Sequence, residues 1–258
     1  RSFYLRGRWK ASPRTPRRAP AGRLCWDLPP LRNLVLSLAR GTPALLLDFL
    51  LIGILTAALI WPLFTLDHMN NWASIESTFI ADARMLKANL LHPGWQPYWY
   101  CGVRWDYIYP PALRHGTALL SAVFSISPAR AYHLYVALMY CLGIAGVYLL
   151  VRLGSGSRSA AWLGAAAVAL VSPCYLFIHE VRADAAVGSY MPQRLNALVR
   201  YGEGPHLSAL SVLGIALGLS WVALRSRRPA ALAAAALAAA LVAVSYTHLR
   251  AHETGRNL

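Results

Sequence analysis

The sequence predicts an all-α protein: a polytopic bundle of transmembrane helices, with amphipathic helices in a long first outer loop. Three observations predict it. Hydrophobic residues make up 57% of the 258 and charged residues 14%, whereas soluble domains carry about 25% charged residues. The apolar residues gather in runs of the length a bilayer core requires, about 20 residues as a helix. The 25 Lys+Arg, set against 10 Asp+Glu, are distributed so that one membrane orientation accounts for them. The low charge density also excludes a disordered, solvating chain.

The elements follow in order. Residues 1–43 form a basic segment, with Arg14, Arg17, Arg18 and Arg23 set among Pro13, Pro16 and Pro20. This composition predicts a flexible arm that fixes topology and touches anionic headgroups. Nucleic acid is not expected as a partner, because the arm lacks the aromatic and basic interleaving of such binders. Residues 44–64 form the first apolar run, with Asp48 near its start and Trp61-Pro62 at its exit. Asp48 lies close enough to the cytoplasmic end to sit at the interface. Further spans are expected over 131–151, 160–178 and 207–224, and a fifth over 229–243. The run 112–126 is too short to span and contains Arg114 and His115, so an interfacial or re-entrant helix is expected there.

The basic residues orient these spans. The arm, Arg152 and Arg158, and Arg225, Arg227 and Arg228 all fall on one side, which the positive-inside rule makes cytoplasmic. The outer loops are then 65–130 and 179–206. They hold Asp67, Glu76, Asp82, Asp106, Glu180, Asp184 and Glu203, most of the acids in the chain. A multi-pass protein of a bacterial inner membrane is expected, with a cytoplasmic N-terminus and membrane lipids as partners. Of the cysteines, Cys101 alone falls in an outer loop, so no intrachain disulfide is expected there. No C-x-x-C or His-x-x-x-His spacing suggests zinc.

The termini carry their own signals. The chain opens on Arg1 instead of Met, and we read the start as missing. Residues 244–258 resemble one reading frame of a sequencing adapter and are read as non-native. The expectation is an N-terminal fragment of a longer protein.

The chemistry is expected in the outer loops. The first is far longer than a connector needs to be and rich in aromatics, Trp99 and Tyr109 among them. Such rings favour the membrane interface and also stack on sugars. Ile75, Phe79, Ala83, Leu86 and Leu90 recur at helical spacing, which predicts an amphipathic helix ended by His92-Pro93-Gly94. Glu76, Asp82 and Arg84 fall off its apolar stripe and are expected to face water or a cleft. Asp67 stands directly after the first span, where a carboxylate could act as general base towards a hydroxyl. Arg182, Arg194, Arg200 and His206 lie in the second outer loop and Arg104 in the first. Guanidinium forks match phosphate oxygens, although pairing with Glu180, Asp184 and Glu203 would use them equally well.

The order of these features carries a resemblance. A basic arm, one span, Asp67, an amphipathic helix, the segment W-Q-P-Y-W-Y-C-G from Trp95 and then Tyr109-Pro110-Pro111 opening an apolar helix resemble the C-type polytopic membrane glycosyltransferases. More narrowly, they resemble the bacterial membrane proteins labelled 6-pyruvoyl-tetrahydropterin-synthase-related, a label that implies no pterin chemistry. The resemblance covers about residues 44–224. It implies transfer of a sugar from a polyprenyl-phosphate donor to an acceptor on the extracytoplasmic face. It makes Asp67 the catalytic base, with Glu76 and Asp82 as alternatives, because His68 stands where many relatives carry a second acid. It implies that an acid of the second outer loop, Asp184 or Glu180, joins the site. Trp99, Tyr109, Arg104, Arg182, Arg200 and His206 are then the substrate-binding candidates. Some relatives hold a divalent cation on such carboxylates and others use none, and the sequence requires no cofactor. Two other classes compete: a transporter or flippase, which would need polar or broken helices at mid-membrane, and an inactive membrane scaffold.

Overall fold

The computed structural model describes residues 31–67, 75–90, 94–97, 101–105, 110–171, 179 and 192–245. These are mostly helical. Helix α1 (Leu31–Leu59) is 29 residues long and contains Pro43, so it starts inside the segment expected to be a flexible arm. It stops before Trp61-Pro62, because a proline has no N–H to continue the ladder and disfavours helix in the residue before it. The chain restarts there as the short α2 (Pro62–Thr65). The amphipathic helix appears as α3 (Glu76–Ala88). A two-residue antiparallel pairing follows, β1 (Trp95–Gln96) against β2 (Val103–Arg104). Next comes α4 (Pro111–Val123), 13 residues long, at the place where a short interfacial helix was expected.

The longest apolar helices come next. In α5 (Pro128–Ser155), Ser127 caps the start by accepting from Arg130 N at 3.1 Å, and Gly156 takes the left-handed conformation (φ 72°) just past the end. Such a residue satisfies the last carbonyls at little steric cost. Ser157 then caps α6 (Arg158–Leu170), which makes a tight α5–α6 hairpin. The second half of the expected 160–178 span, residues 172–178, lies outside the described residues. The chain resumes with α7 (Gln193–Tyr201), α8 (Gly204–Ser226) and α9 (Pro229–Ser245). Helix α9 continues through Val244 and Ser245, the first two residues read as non-native.

Helix α5 is the axis of the bundle. Its Tyr132, Tyr140, Ile144 and Tyr148 are fully buried and share a core with Ile52 of α1, Ile60 just after it, Ala161 and Ala165 of α6, Leu198 of α7 and Leu207 of α8. Helices α5 and α8 run side by side in the same direction, Gly204 against Tyr132, Gly214 against Gly146 and Gly218 against Leu150. A Cβ at Gly214 would come within 2.9 Å of the Gly146 carbonyl carbon. Small residues that let backbones touch in this way are the usual packing device between helices in lipid. Ser208, Ser211 and Thr56 return their hydroxyls to the carbonyl four residues back, which satisfies these three donors within their own helices.

Among the described residues two helices, Pro128–Ser155 and Gly204–Ser226, are long and apolar enough to cross a membrane. Pro43–Leu59, Arg158–Leu170 and Pro229–Ser245 are shorter apolar helices. Large apolar side chains also cover the outside. Leu50, Ile54, Leu163, Leu224 and Leu237 are each at least 60% exposed. A soluble monomer rarely shows contiguous apolar surface on this scale.

The two ends of the bundle differ in charge. At one end, Arg158 forks onto Asp48 at 2.7 and 2.8 Å, and the Tyr148 hydroxyl donates to the same carboxylate at 2.6 Å. The Asp48 carboxylate raises the Arg158 pKa above its ordinary value. Because α5 and α8 are parallel, Arg225, Arg227 and Arg228 lie at this same end. Asp67, Ser127 and Gly202 lie at the other.

Candidate functional site

Asp67 is exposed, directly after α2. Two residues of α5's first turn and its cap fix its position. The Ser127 hydroxyl donates to Asp67 Oδ1 at 3.3 Å, and the buried His133 donates from Nδ1 to the Leu66 carbonyl at 3.1 Å. A main-chain tether on the preceding residue and a side-chain contact on the carboxylate hold it at the rim of the bundle. Its remaining oxygen faces solvent, as a general base requires.

Glu76 opens α3 and is drawn to the same spot. Its Oε2 lies 3.7 Å from His133 Nε2. His133 therefore joins both flanks of residues 68–74, which lie outside the described residues. The imidazole is hydrogen-bonded at Nδ1 to the Leu66 carbonyl, the residue before Asp67, and its Nε2 faces the Glu76 carboxylate beyond hydrogen-bond distance.

Asp82 does not face water, and the expectation is corrected here. It is 1% exposed, turned inward to Arg114 of α4 at 2.6 Å, and accepts from Gln96 Nε2 at 2.7 Å. The stripe reading failed because α3 packs on two sides, against α4 as well as α5, so a residue off the first stripe faces a second neighbour. Arg114 also stacks over Phe79 at 5.4 Å. An ion pair sealed in this way ties α3, β1 and α4 together, and its burial keeps the carboxylate from solvent. Arg84 is exposed, as expected.

The binding candidates are scattered. Arg104 is exposed on β2, beside Trp95, which is 57% exposed. Arg200 lies over the ring of its neighbour Tyr201 at 5.6 Å. His206 pairs with Glu203 at 2.6 Å, the acid pairing the sequence allowed. Among the described residues none of these three touches Asp67. Trp99, Tyr109, Arg182, Asp184 and Glu180 lie outside the described residues. Among the described residues no three His, Cys, Asp or Glu side chains gather as a metal site.

The sequence reading did not single out Ser127, His133, Gln96 or Arg114 as site residues. Ser127-Pro128 is a helix-start signal that could have placed Ser127 beside the preceding outer loop. His133 gave no such signal, since a histidine in an apolar run is most simply a core residue.

An apolar groove of about 280 Å³ runs between α1, α5 and α6, lined by Leu55, Thr56, Leu59, Trp162, Ala166 and Leu170 among others. It holds no free polar group, because the Thr56 hydroxyl is used within its own helix. It is therefore not the reactive centre. No family model, curated protein or solved structure matches this chain.

Proposed function

We propose that this chain is part of an integral membrane glycosyltransferase, with Asp67 as the general base that activates an acceptor hydroxyl. In this reading the donor is a sugar on a polyprenyl phosphate, and the Asp67 end of the bundle faces away from the cytoplasm. The observation that carries the reading is an exposed carboxylate, fixed by Ser127 and through His133, at the end of an apolar bundle opposite its basic end. A lipid-linked donor would bring its reactive carbon to that depth. The groove between α1, α5 and α6 ends near Leu59, one short helix before Asp67, and its apolar lining suits an isoprenoid chain. Glu76, facing the same His133 that bonds the Leu66 carbonyl, is the supporting acid. Arg104, Arg200 and His206 remain binding candidates at the same end of the bundle.

The experiment is a radiolabel transfer assay on membranes carrying the full-length gene product. Asp67→Asn should abolish transfer by about 10²-fold or more, the lower part of the range for a lost general base, while membrane insertion is unchanged. Retained transfer in Asp67→Asn would remove Asp67 from the role.

The transporter reading has one observation in its favour. Arg194, on a short helix in a segment expected to lie outside, reaches the middle of α5. Interrupted helices that carry charge to mid-depth are a feature of transport sites.

A further inference from the structure

Helix α7 does not stand clear of the bundle as an outer loop would. Its C-terminal end meets the top of α5, where the Tyr132 hydroxyl donates to the Gly202 carbonyl at 3.4 Å. Its N-terminal end lies far below. The Arg194 guanidinium packs against Gly143 so closely that a Cβ there could not be accommodated. Its Nη2 donates to Ser211 Oγ at 2.7 Å, and its central carbon sits 4.9 Å above the Tyr140 ring. Gly143 is 16 residues past Ser127, which at about 1.5 Å per residue puts Arg194 roughly 24 Å below the Asp67 rim. That is the middle of the longest apolar helix in the chain.

The charge there is uncompensated. Among the described residues no carboxylate pairs with Arg194. Its Nε is sealed from solvent without an acceptor, and the Tyr140 hydroxyl, also buried, has no partner. The N-terminus of α7 lies at the same place. Pro192 caps it without a side-chain acceptor, and of its first-turn N–H groups those of Leu195 and Asn196 close on the Pro192 carbonyl. This terminus is the positive end of the helix dipole. A buried guanidinium, a buried phenol and a helix N-terminus are all donors, and among the described residues none of them meets an anion. Burying a cation in this way is costly unless an acceptor is present.

We propose that α5, α7 and α8 build a buried anion site around Arg194, with Tyr140 as a second donor, which takes a phosphate-type oxyanion. The forked guanidinium suits a group with several acceptor oxygens, and a helix N-terminus suits the same group. The depth excludes an ordinary lipid headgroup, so the anion is free phosphate or a phosphoryl group on a molecule that enters the bundle. The distance from Asp67 makes this a second site, independent of the glycosyltransferase reading.

The test is thermal unfolding of the purified full chain in nanodiscs, followed by tryptophan fluorescence. Inorganic phosphate is titrated against sodium chloride at matched ionic strength. Phosphate should raise the midpoint saturably, where chloride does not. Arg194→Gln should weaken that response at least tenfold, Tyr140→Phe should weaken it while the charge remains, and Asp67→Asn should leave it intact. If Arg194→Gln does not fold, Tyr140→Phe carries the test alone. Absence of a phosphate-specific rise in the unmodified protein, or an undiminished rise in Tyr140→Phe, would overturn the site. So would phosphate binding that appears only in Glu180→Gln or Asp184→Asn, since an internal carboxylate would then be the resident partner.

Discussion

Arg114 and Asp82 illustrate how a buried charge constrains its neighbours. Each is 1% exposed, and each is the other's ion-pair partner. Removing Arg114 leaves Asp82 charged and dry, with the Gln96 amide but no cation to answer it. Arg114→Met should therefore destabilise the protein by about 3–5 kcal/mol, while Arg114→Met with Asp82→Leu should recover most of that loss. Denaturant unfolding of the two variants checks this, and equal losses would contradict it. Asp67 is the opposite case. It is exposed and lightly held, so Asp67→Asn should cost activity with little change in stability, and one unfolding curve beside one transfer assay separates the two. The sequence showed Asp67 clearly, because a carboxylate directly after an apolar run has a defined height at the membrane. It misplaced Asp82, because helical periodicity reports one buried face and α3 has two. It passed over His133, whose partners lie 67 and 57 positions away in the chain, at Leu66 and Glu76, a pairing no local pattern encodes.

At the scale of elements, the pairing of α5 with α8 sets the architecture. Gly146 and Gly214 bring the two backbones into contact, and Tyr132 of α5 fills the space Gly204 leaves. Gly214→Val forces side-chain carbon into a 2.9 Å gap and should cost about 1–3 kcal/mol, the usual penalty for overpacking. Gly53, which has open space around its Cβ, should accept the same substitution with little effect. A comparison of melting temperatures tests both, and equal losses would contradict the close-contact account. Helices α5 and α8 were legible from length and composition alone, because about 20 apolar residues leave few alternatives to a long helix. Their starts fall three residues before the expected 131 and 207, at Pro128 and Gly204. Helix α1 ran past its expected start because Pro43 sits inside it, and a proline costs a helix one hydrogen bond without always breaking it. The descent of α7 was not legible. Its sequence, Gln193–Tyr201, is polar and short, and only its packing on α5 and α8 reveals its depth.

At the scale of the molecule, two ends differ in kind. One gathers Arg152, Arg158, Arg225, Arg227 and Arg228 around the Asp48 pair. The other presents Asp67, Ser127 and the flanks of the first loop. Between them the surface is apolar, with Leu163 and Leu224 more than 70% exposed. Trp221, with Arg225 stacked 4.1 Å from its ring, stands near the basic end as an interfacial anchor would. In the function we propose, the bundle is set across a bilayer with its basic end in the cytoplasm. Both the transferase reading and the depth of Arg194 take their meaning from that orientation. The most direct measurement is cysteine labelling in intact bacterial cells with a membrane-impermeant maleimide. Cys101 is exposed near the Asp67 end, and a variant keeping only this cysteine should label at once from outside. A second variant, with its single cysteine at Gly156 in the basic hairpin, should label only after the membrane is opened. Equal labelling of both in intact cells, or recovery of the protein in the soluble fraction, would contradict the account.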